Sequence, residues 1–282
     1  MDLVVLATGS SGNAALLSSR GSTLLVDAGI SNLAIRRRLE AVGRSVDEVQ
    51  AVLLTHEHSD HTRGLEVLTR HCGVEVWATA GTWGQLALRT NGGGELVSGR
   101  ELQFGDFLVT PVATSHDAAE PVAFVIDDGE VRVGLCTDTG VVTPLLAERL
   151  RGCDLLLLET NHDGDMLRNG PYPWVLKQRI ASRHGHLANH QAAEALDRLV
   201  SPRLKGVVGM HLSAENNRPE IVLETLQSAL PSSLELTAVP RTEMLRITVT
   251  SDSATLEPCA VPPSRRRSTQ PRTLFPDWQP GS

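Results

Sequence analysis

At 282 residues the chain exceeds the usual single-core length, but sheet-rich sandwiches of about 200–250 residues often form one domain, so one domain plus a tail is expected. A hydrophobic fraction of 41% suffices for a buried core, and no apolar run reaches the roughly 18 residues of a membrane span, which argues for a soluble protein without a membrane partner. A net charge of −7 argues against nucleic-acid binding through overall charge; an enzyme acting on such a polymer would have to gather basic residues locally.

The start, Met1-Asp2-Leu3-Val4-Val5-Leu6, runs straight into a strand with no basic leader or cleavage site, which points to a cytoplasmic location. Residues 3–7 and 23–26 read as strands. A helix follows, capped by Ser31, with Leu33, Ile35 and Leu39 on its apolar stripe and Gly43 as its stop. A strand over 51–54 delivers a loop rich in histidine. A helix over 63–71, a strand over 74–78 and a helix over 82–88 come next, and Asn91-Gly92-Gly93-Gly94 reads as a loop.

The apolar period then shifts to two. Residues 107–112, 122–126 and 131–136 read as short strands, with a tight turn at Asp128-Gly129. The run over 154–158 is a strand buried on both faces. Helices over 172–182 and 191–200 precede a strand over 206–210, and a helix over 219–229 with strands over 234–239 and 245–249 closes the unit. This order fits an α/β fold of two sheets with helices outside them, a four-layer αββα sandwich with its chemistry on the loops at one edge. After Asp252 the composition turns to proline and arginine, so the domain is placed at 1–251 and a flexible tail at 252–282. Arg265, Arg266 and Arg267 could touch phosphate, and 270–275 or Trp278 could dock into a replication or repair partner. Cys72, Cys136, Cys153 and Cys259 include no C-x-x-C pair and read as reduced thiols rather than disulfides or metal ligands.

The loop after 51–54 is Thr55-His56-Glu57-His58-Ser59-Asp60-His61. Neutral imidazole and carboxylate are ligands shared by zinc, manganese and iron. In an extended loop His56 and His58 can turn to one centre while Asp60 and His61 point to another. The cluster holds too many groups for one site and too few for two, so further ligands must lie downstream. His116, Asp138 and His211 are candidates, each following an apolar run. Arg168, Lys177, Arg179 and Arg183 are the local basic group. Gly9-Ser10-Ser11-Gly12-Asn13 could present amides and hydroxyls to a phosphate, although a simple tight turn explains it nearly as well. It lacks the lysine and spacing of a nucleotide-binding loop, so use of ATP or GTP is not expected.

The string His56-x-His58-x-Asp60-His61, the later His116, Asp138 and His211, and Leu25-Val26-Asp27-Ala28-Gly29 upstream resemble the metallo-β-lactamase-fold hydrolases. The segments 9–13, 115–121, 159–163, 172–174, 185–189 and 211–217 resemble the YycJ/WalJ group within them, regarded as 5′ to 3′ DNA exonucleases. That resemblance implies two divalent ions, manganese or zinc, with His56, His58 and His116 on the first, Asp60, His61 and His211 on the second, and Asp138 between them. Asp27 would orient the ligand loop from behind. Glu159 and His186 look like the acid and histidine that related tRNA-processing nucleases place over the scissile phosphate, His186 protonating the leaving oxygen. Ser10, Ser11, Asn13, His162, Arg168 and Lys177 are candidate substrate contacts, His162 being equally open to a structural role.

The expected function is therefore dinuclear, metal-dependent phosphodiester hydrolysis of DNA in repair or replication. Alternatives on the same fold are an RNA-processing nuclease of the tRNase Z type, a small-molecule phosphodiesterase and a thioester or lactone hydrolase. A scaffold that binds metal only for stability is the non-enzyme alternative. No glycine- and proline-rich arm for gripping tRNA is evident, and the interval from Asp138 to His211 is too short for a β-CASP insertion.

Overall fold

Aliphatic runs set the strands of this protein, whose computed structural model describes residues 1–87 and 92–263. The strands are β1 (Asp2–Ala7), β2 (Ala14–Ser19), β3 (Ser22–Val26), β4 (Ala51–Leu53), β5 (Glu75–Thr79), β6 (Gly93–Leu96), β7 (Leu102–Phe104), β8 (Phe107–Ala113), β9 (Val122–Asp127), β10 (Arg132–Cys136), β11 (Leu155–Glu159), β12 (Gly206–Met210), β13 (Glu235–Ala238), β14 (Glu243–Val249) and β15 (Ala254–Ala260). The helices are α1 (Asn32–Ala41), α2 (Ser59–Thr62), α3 (Leu65–Cys72), α4 (Ala80–Gln85), α5 (Pro144–Leu150), α6 (Gly164–Asn169), α7 (Trp174–Ile180), α8 (Asn189–Leu199) and α9 (Pro219–Gln227). None of them is long and apolar enough to cross a membrane.

The strands form two sheets, ordered β15-β14-β1-β2-β3-β4-β5-β6 and β13-β12-β11-β10-β9-β8-β7. Side-chain alternation builds the four layers. Leu3 and Val5 of β1 and Leu155 and Leu157 of β11 pack with Phe107 and Phe124 between the sheets. Their neighbours Val4 and Leu6 face α1 and α3, whereas Leu156 and Leu158 face α5, α8 and α9. The sequence thus makes the central strands apolar on both faces because both faces are covered.

Strands β3 to β6 run parallel, as do β10 to β13. Their carboxyl ends lie on one edge of the sandwich. Between Asp138 and His211 the chain adds only β11, β12 and α5 to α8, with no inserted domain. Ser31 caps α1 and Gly43 follows it with φ 74°, while Asp128 closes the β9–β10 turn by accepting from the Glu130 and Val131 amides.

Two expectations need correction. Gly93 and Gly94 belong to β6, not to a loop, and Asn91 lies outside the described residues. A Cβ at Gly93 would sit 1.8 Å from the Val76 carbonyl oxygen, so the glycines permit close strand approach. The composition change at Asp252 does not end the sheet either: β15 pairs along β14 from Ala254 to Ala260. Pro258 is tolerated there because β15 is an edge strand. The proposed tail contacts, Arg265, Arg266, Arg267, 270–275 and Trp278, lie outside the described residues, as does Leu88 at the end of the expected 82–88 helix. All four cysteines are free thiols, Cys136 and Cys153 buried.

Candidate metal centre

Five of the parallel strands, β3, β4, β10, β11 and β12, end in a functional group at the working edge. Asp27 follows β3, the histidine loop follows β4, Asp138 follows β10, Glu159 ends β11 and His211 follows β12. Asp27, Asp138 and His211 hold positive φ angles of 60°, 55° and 59°. A left-handed backbone at a non-glycine residue costs about 1–2 kcal/mol, so this edge is strained at three of its functional groups. Gly29 lets a neighbouring turn come close: a Cβ there would lie 1.6 Å from the Asp60 carbonyl oxygen.

His56, His58 and His116 bring one ring nitrogen each within 4.8 Å of one another, and the ligand atoms of Asp60, His61 and His211 form a second such group. Asp138 joins His56 and His61 in a third group, and Glu159, His186 and His211 in a fourth. Its carboxylate therefore stands between the first two.

Ring orientation is set from behind. Asp27 accepts from the Thr55 amide at 2.9 Å and from His61 Nδ1 at 2.7 Å, which leaves His61 Nε2 3.2 Å from Asp138. His116 Nδ1 donates to the Gly185 carbonyl at 3.0 Å, freeing Nε2. Glu159 Oε1 accepts from His186 Nδ1 at 2.8 Å and His211 Nδ1 at 2.9 Å. Its other oxygen accepts from the Thr139 and Leu187 amides.

Burial lowers the His56 and His116 imidazoles below their usual range and so favours the neutral, ligating form. Burial lowers His61 too, but Asp27 and Asp138 outweigh it and hold its imidazole well above the usual range. Burial alone would raise Asp138, yet His211 and His61 hold it well below the ordinary carboxyl range. Glu159 is likewise opposed by burial and held at about 2 by His186 and His211. Its charge outweighs desolvation at His186, pushed up to about 9.

The donor set fits divalent metal. His211 Nε2 is buried without a hydrogen-bond partner among the described residues, and buried Asp138 Oδ2 has only the His61 Nε2 contact at 3.2 Å, at the positions where imidazole and carboxylate ligands converge. Such orphaned groups are costly unless something binds them, and a site without thiolate suits zinc or manganese.

A cavity of about 310 Å³ opens over this cluster, lined among others by Ser10, Asp60, Asp138, His186 and His211. The structure thus gathers His56, His58, Asp60, His61, His116, Asp138 and His211, with Asp27 behind them and His186 at the cavity. Glu159 is 0% exposed, so it holds His186 and His211 in place and does not itself reach a substrate. Ser11 turns its carbonyl to Arg63 and does not line the cavity. Asn13 is buried, and its side chain accepts from the Gly9 amide and contacts His61 Nε2 at 3.0 Å, which commits it to the loop. His162, Arg168 and Lys177 line a different cavity. Sequence reasoning gave no role to Thr55, Asn161, Ser213 or the Asp117–Arg179 ion pair of 2.6 Å at the cavity. Adjacency to His56 and His116 is a usable signal for Thr55 and Asp117; Asn161 and Ser213 are marked only by falling in the segments 159–163 and 211–217 that resemble the YycJ/WalJ group.

A β-lactamase superfamily domain matches residues 22–211, the class that this sandwich and its histidine-rich edge define. The chain is 38% identical over 234 residues to the exodeoxyribonuclease WalJ of Streptococcus pneumoniae serotype 2, covering 80% of this chain and 87% of that protein. It belongs to the β-lactamase superfamily, in its WalJ/YycJ family. It is also 27% identical over 232 residues to a ribonuclease Z of Mycobacterium sp. strain KMS, covering 76% and 77% of the two chains. The crystal structure of YhfI from Bacillus subtilis shares the fold at a TM-score of 0.68 and 19% identity, covering 87% of this chain and 98% of that one.

Proposed function

We propose that this protein is a metal-dependent phosphodiesterase and acts as a 5′ to 3′ DNA exonuclease in the cytoplasm. The observation that carries the reading is the Glu159–His186 pair set against the ligand cluster, because it adds a protonated imidazole where a leaving group would need one. Similarity to the exodeoxyribonuclease WalJ supports DNA as the substrate, and the 5′ to 3′ direction rests on the resemblance of segments 9–13, 115–121, 159–163, 172–174, 185–189 and 211–217 to the YycJ/WalJ group.

His56, His58 and His116 would hold one divalent ion, Asp60, His61 and His211 a second, and Asp138 would face both. Bound there, manganese or zinc would offset phosphodiester charge and make water nucleophilic. The protein's own groups do the rest. Asp27 and Thr55 keep the ligand loop from turning, so no reorganisation is needed when substrate arrives. Glu159 keeps the proton on His186 Nδ1 engaged, which leaves Nε2 to hold a proton toward the cavity and pass it to the leaving oxygen. The buried charge of Glu159 stabilises that imidazolium before transfer.

Duplex DNA labelled at one 5′ or one 3′ end, incubated with the manganese-loaded protein, tests this directly. Early release of labelled mononucleotide from the 5′ end supports it, and absence of DNA cleavage rejects it. The likeness to ribonuclease Z favours a second reading, cleavage of RNA, which a precursor tRNA in the same assay would reveal.

A further inference from the structure

Helix α7 is a wall with a cavity on each side. Leu176, Arg179 and Ile180 face the metal cavity, whereas Trp174, Lys177 and Gln178 line a second one of about 370 Å³. The β11–α6 connection is shared in the same way, Asn161 lining the first cavity and His162 the second. The second volume lies within the roughly 300–1,000 Å³ usual for small-ligand sites.

Its exposed lining surface is mostly apolar, with Leu167, Ala181 and Ala188 among its residues, and His162, Arg168, Lys177, Gln178, His190 and Gln191 bring polar groups to it. His162 is 3% exposed, and its Nδ1 is buried without a hydrogen-bond partner among the described residues. An orphaned buried donor or acceptor is costly, so a histidine kept there invites a partner from outside the chain. Burial lowers its imidazole to about 4, so the ring is neutral and offers both a donor and an acceptor. Trp174 is 67% exposed on a helix that buries none of its residues, so the core does not require it. Arg168 and Lys177 stand at the same cavity. Arg168 pairs with Asp165 and Lys177 donates to the Arg168 carbonyl, both in exposed contacts that a phosphate could replace at small cost.

A planar aromatic, a neutral imidazole and two cations beside an apolar hollow match a nucleotide better than an amino acid or a sugar. Base stacking on aromatic side chains is the usual sequence-tolerant grip on single strands. We propose that the second cavity receives one nucleobase of the DNA strand whose phosphate lies in the metal cavity, with Trp174 stacking, His162 hydrogen-bonding the base edge, and Arg168 and Lys177 facing a neighbouring phosphate. This rests on the phosphodiesterase reading above and adds a strand-gripping subsite to it.

The test is equilibrium binding, by fluorescence anisotropy, of a short phosphorothioate-linked oligodeoxynucleotide that resists hydrolysis. It is measured with the manganese-loaded protein and with its Trp174→Ala, Trp174→Phe and His162→Gln variants. An abasic site is stepped along the strand from the 5′ end. At one position it should weaken wild-type binding about ten-fold, the size of one lost stack. Trp174→Ala should weaken binding of the intact strand, though less than the missing base weakens wild type, and should be less sensitive than wild type to that abasic site; Trp174→Phe should retain most of the binding. His162→Gln should weaken binding of the intact strand but not of that abasic strand. Equal binding by wild type and Trp174→Ala, unchanged sensitivity of Trp174→Ala to the abasic site, or no binding by wild type would overturn the proposal. Binding that follows the expected pattern without any hydrolysis of ordinary DNA would uphold the subsite and sink the exonuclease reading instead.

Discussion

Two buried carboxylates stand at strand ends in different sheets, and they hold histidines differently. Asp27, after β3, commits its oxygens to Thr55 and His61, so it fixes a single ligand loop. Glu159, at the end of β11, joins His211 of the ligand cluster to His186, which faces the cavity. In the proposed mechanism one carboxylate therefore supports metal holding alone, and the other couples it to proton transfer. Equal burial does not mean equal function; what separates the two is the second partner.

The largest effect should come from the group both halves share. Asp138→Asn should abolish DNA hydrolysis and lower bound metal, checked by end-labelled cleavage and elemental analysis; full activity with full metal would break the dinuclear reading. The two supporting carboxylates should then separate. Glu159→Gln should cut kcat by about 10²–10⁴-fold, the range for a positioned acid. Asp27→Asn should instead weaken metal affinity by about 10–100-fold and recover in excess manganese. Identical responses to manganese in the two variants would erase the contrast.

Metal should also stabilise the fold, by about 2.7 kcal/mol at a hundredfold excess over Kd. Thermal unfolding with and without chelator should show this, and His56→Ala should reduce the shift. The smallest effect lies away from the site, at Asp128 in the β9–β10 turn. Burial would raise this carboxyl, but the Val131 amide, Ser19 and the Glu130 amide outweigh it and lower it. Because the folded value lies below the unfolded one, its stabilisation is present above the ordinary carboxyl range and is lost as pH falls through the folded value. Asp128→Asn should cost about 1–3 kcal/mol at neutral pH and progressively less in acid, read from denaturant midpoints.

The candidate metal loop is legible because its chemistry is contiguous, and His116, Asp138 and His211 because each follows an apolar run. Glu159 was found through its likeness to related nucleases, but only the fold reveals that it is sealed beneath His186 and His211. Asn13 looked available to substrate, since no sequence pattern shows that its amide turns inward to Gly9 and His61. Strand β6 was hidden because close backbone approach selects glycine there, which reads as a loop. Strand β15 was hidden because an exposed edge tolerates Pro258 and polar residues. In both cases the local signal was set by the sheet margin rather than by the core.

The central claim is that His186, held by Glu159, protonates the leaving oxygen. Its most direct test compares His186→Ala with wild type on DNA and on a nitrophenyl phosphodiester, whose leaving group needs no proton. The account predicts a loss of about 10²–10⁴-fold on DNA and little loss on the nitrophenyl ester. An equal loss on both substrates would contradict it and leave His186 a binding or structural group.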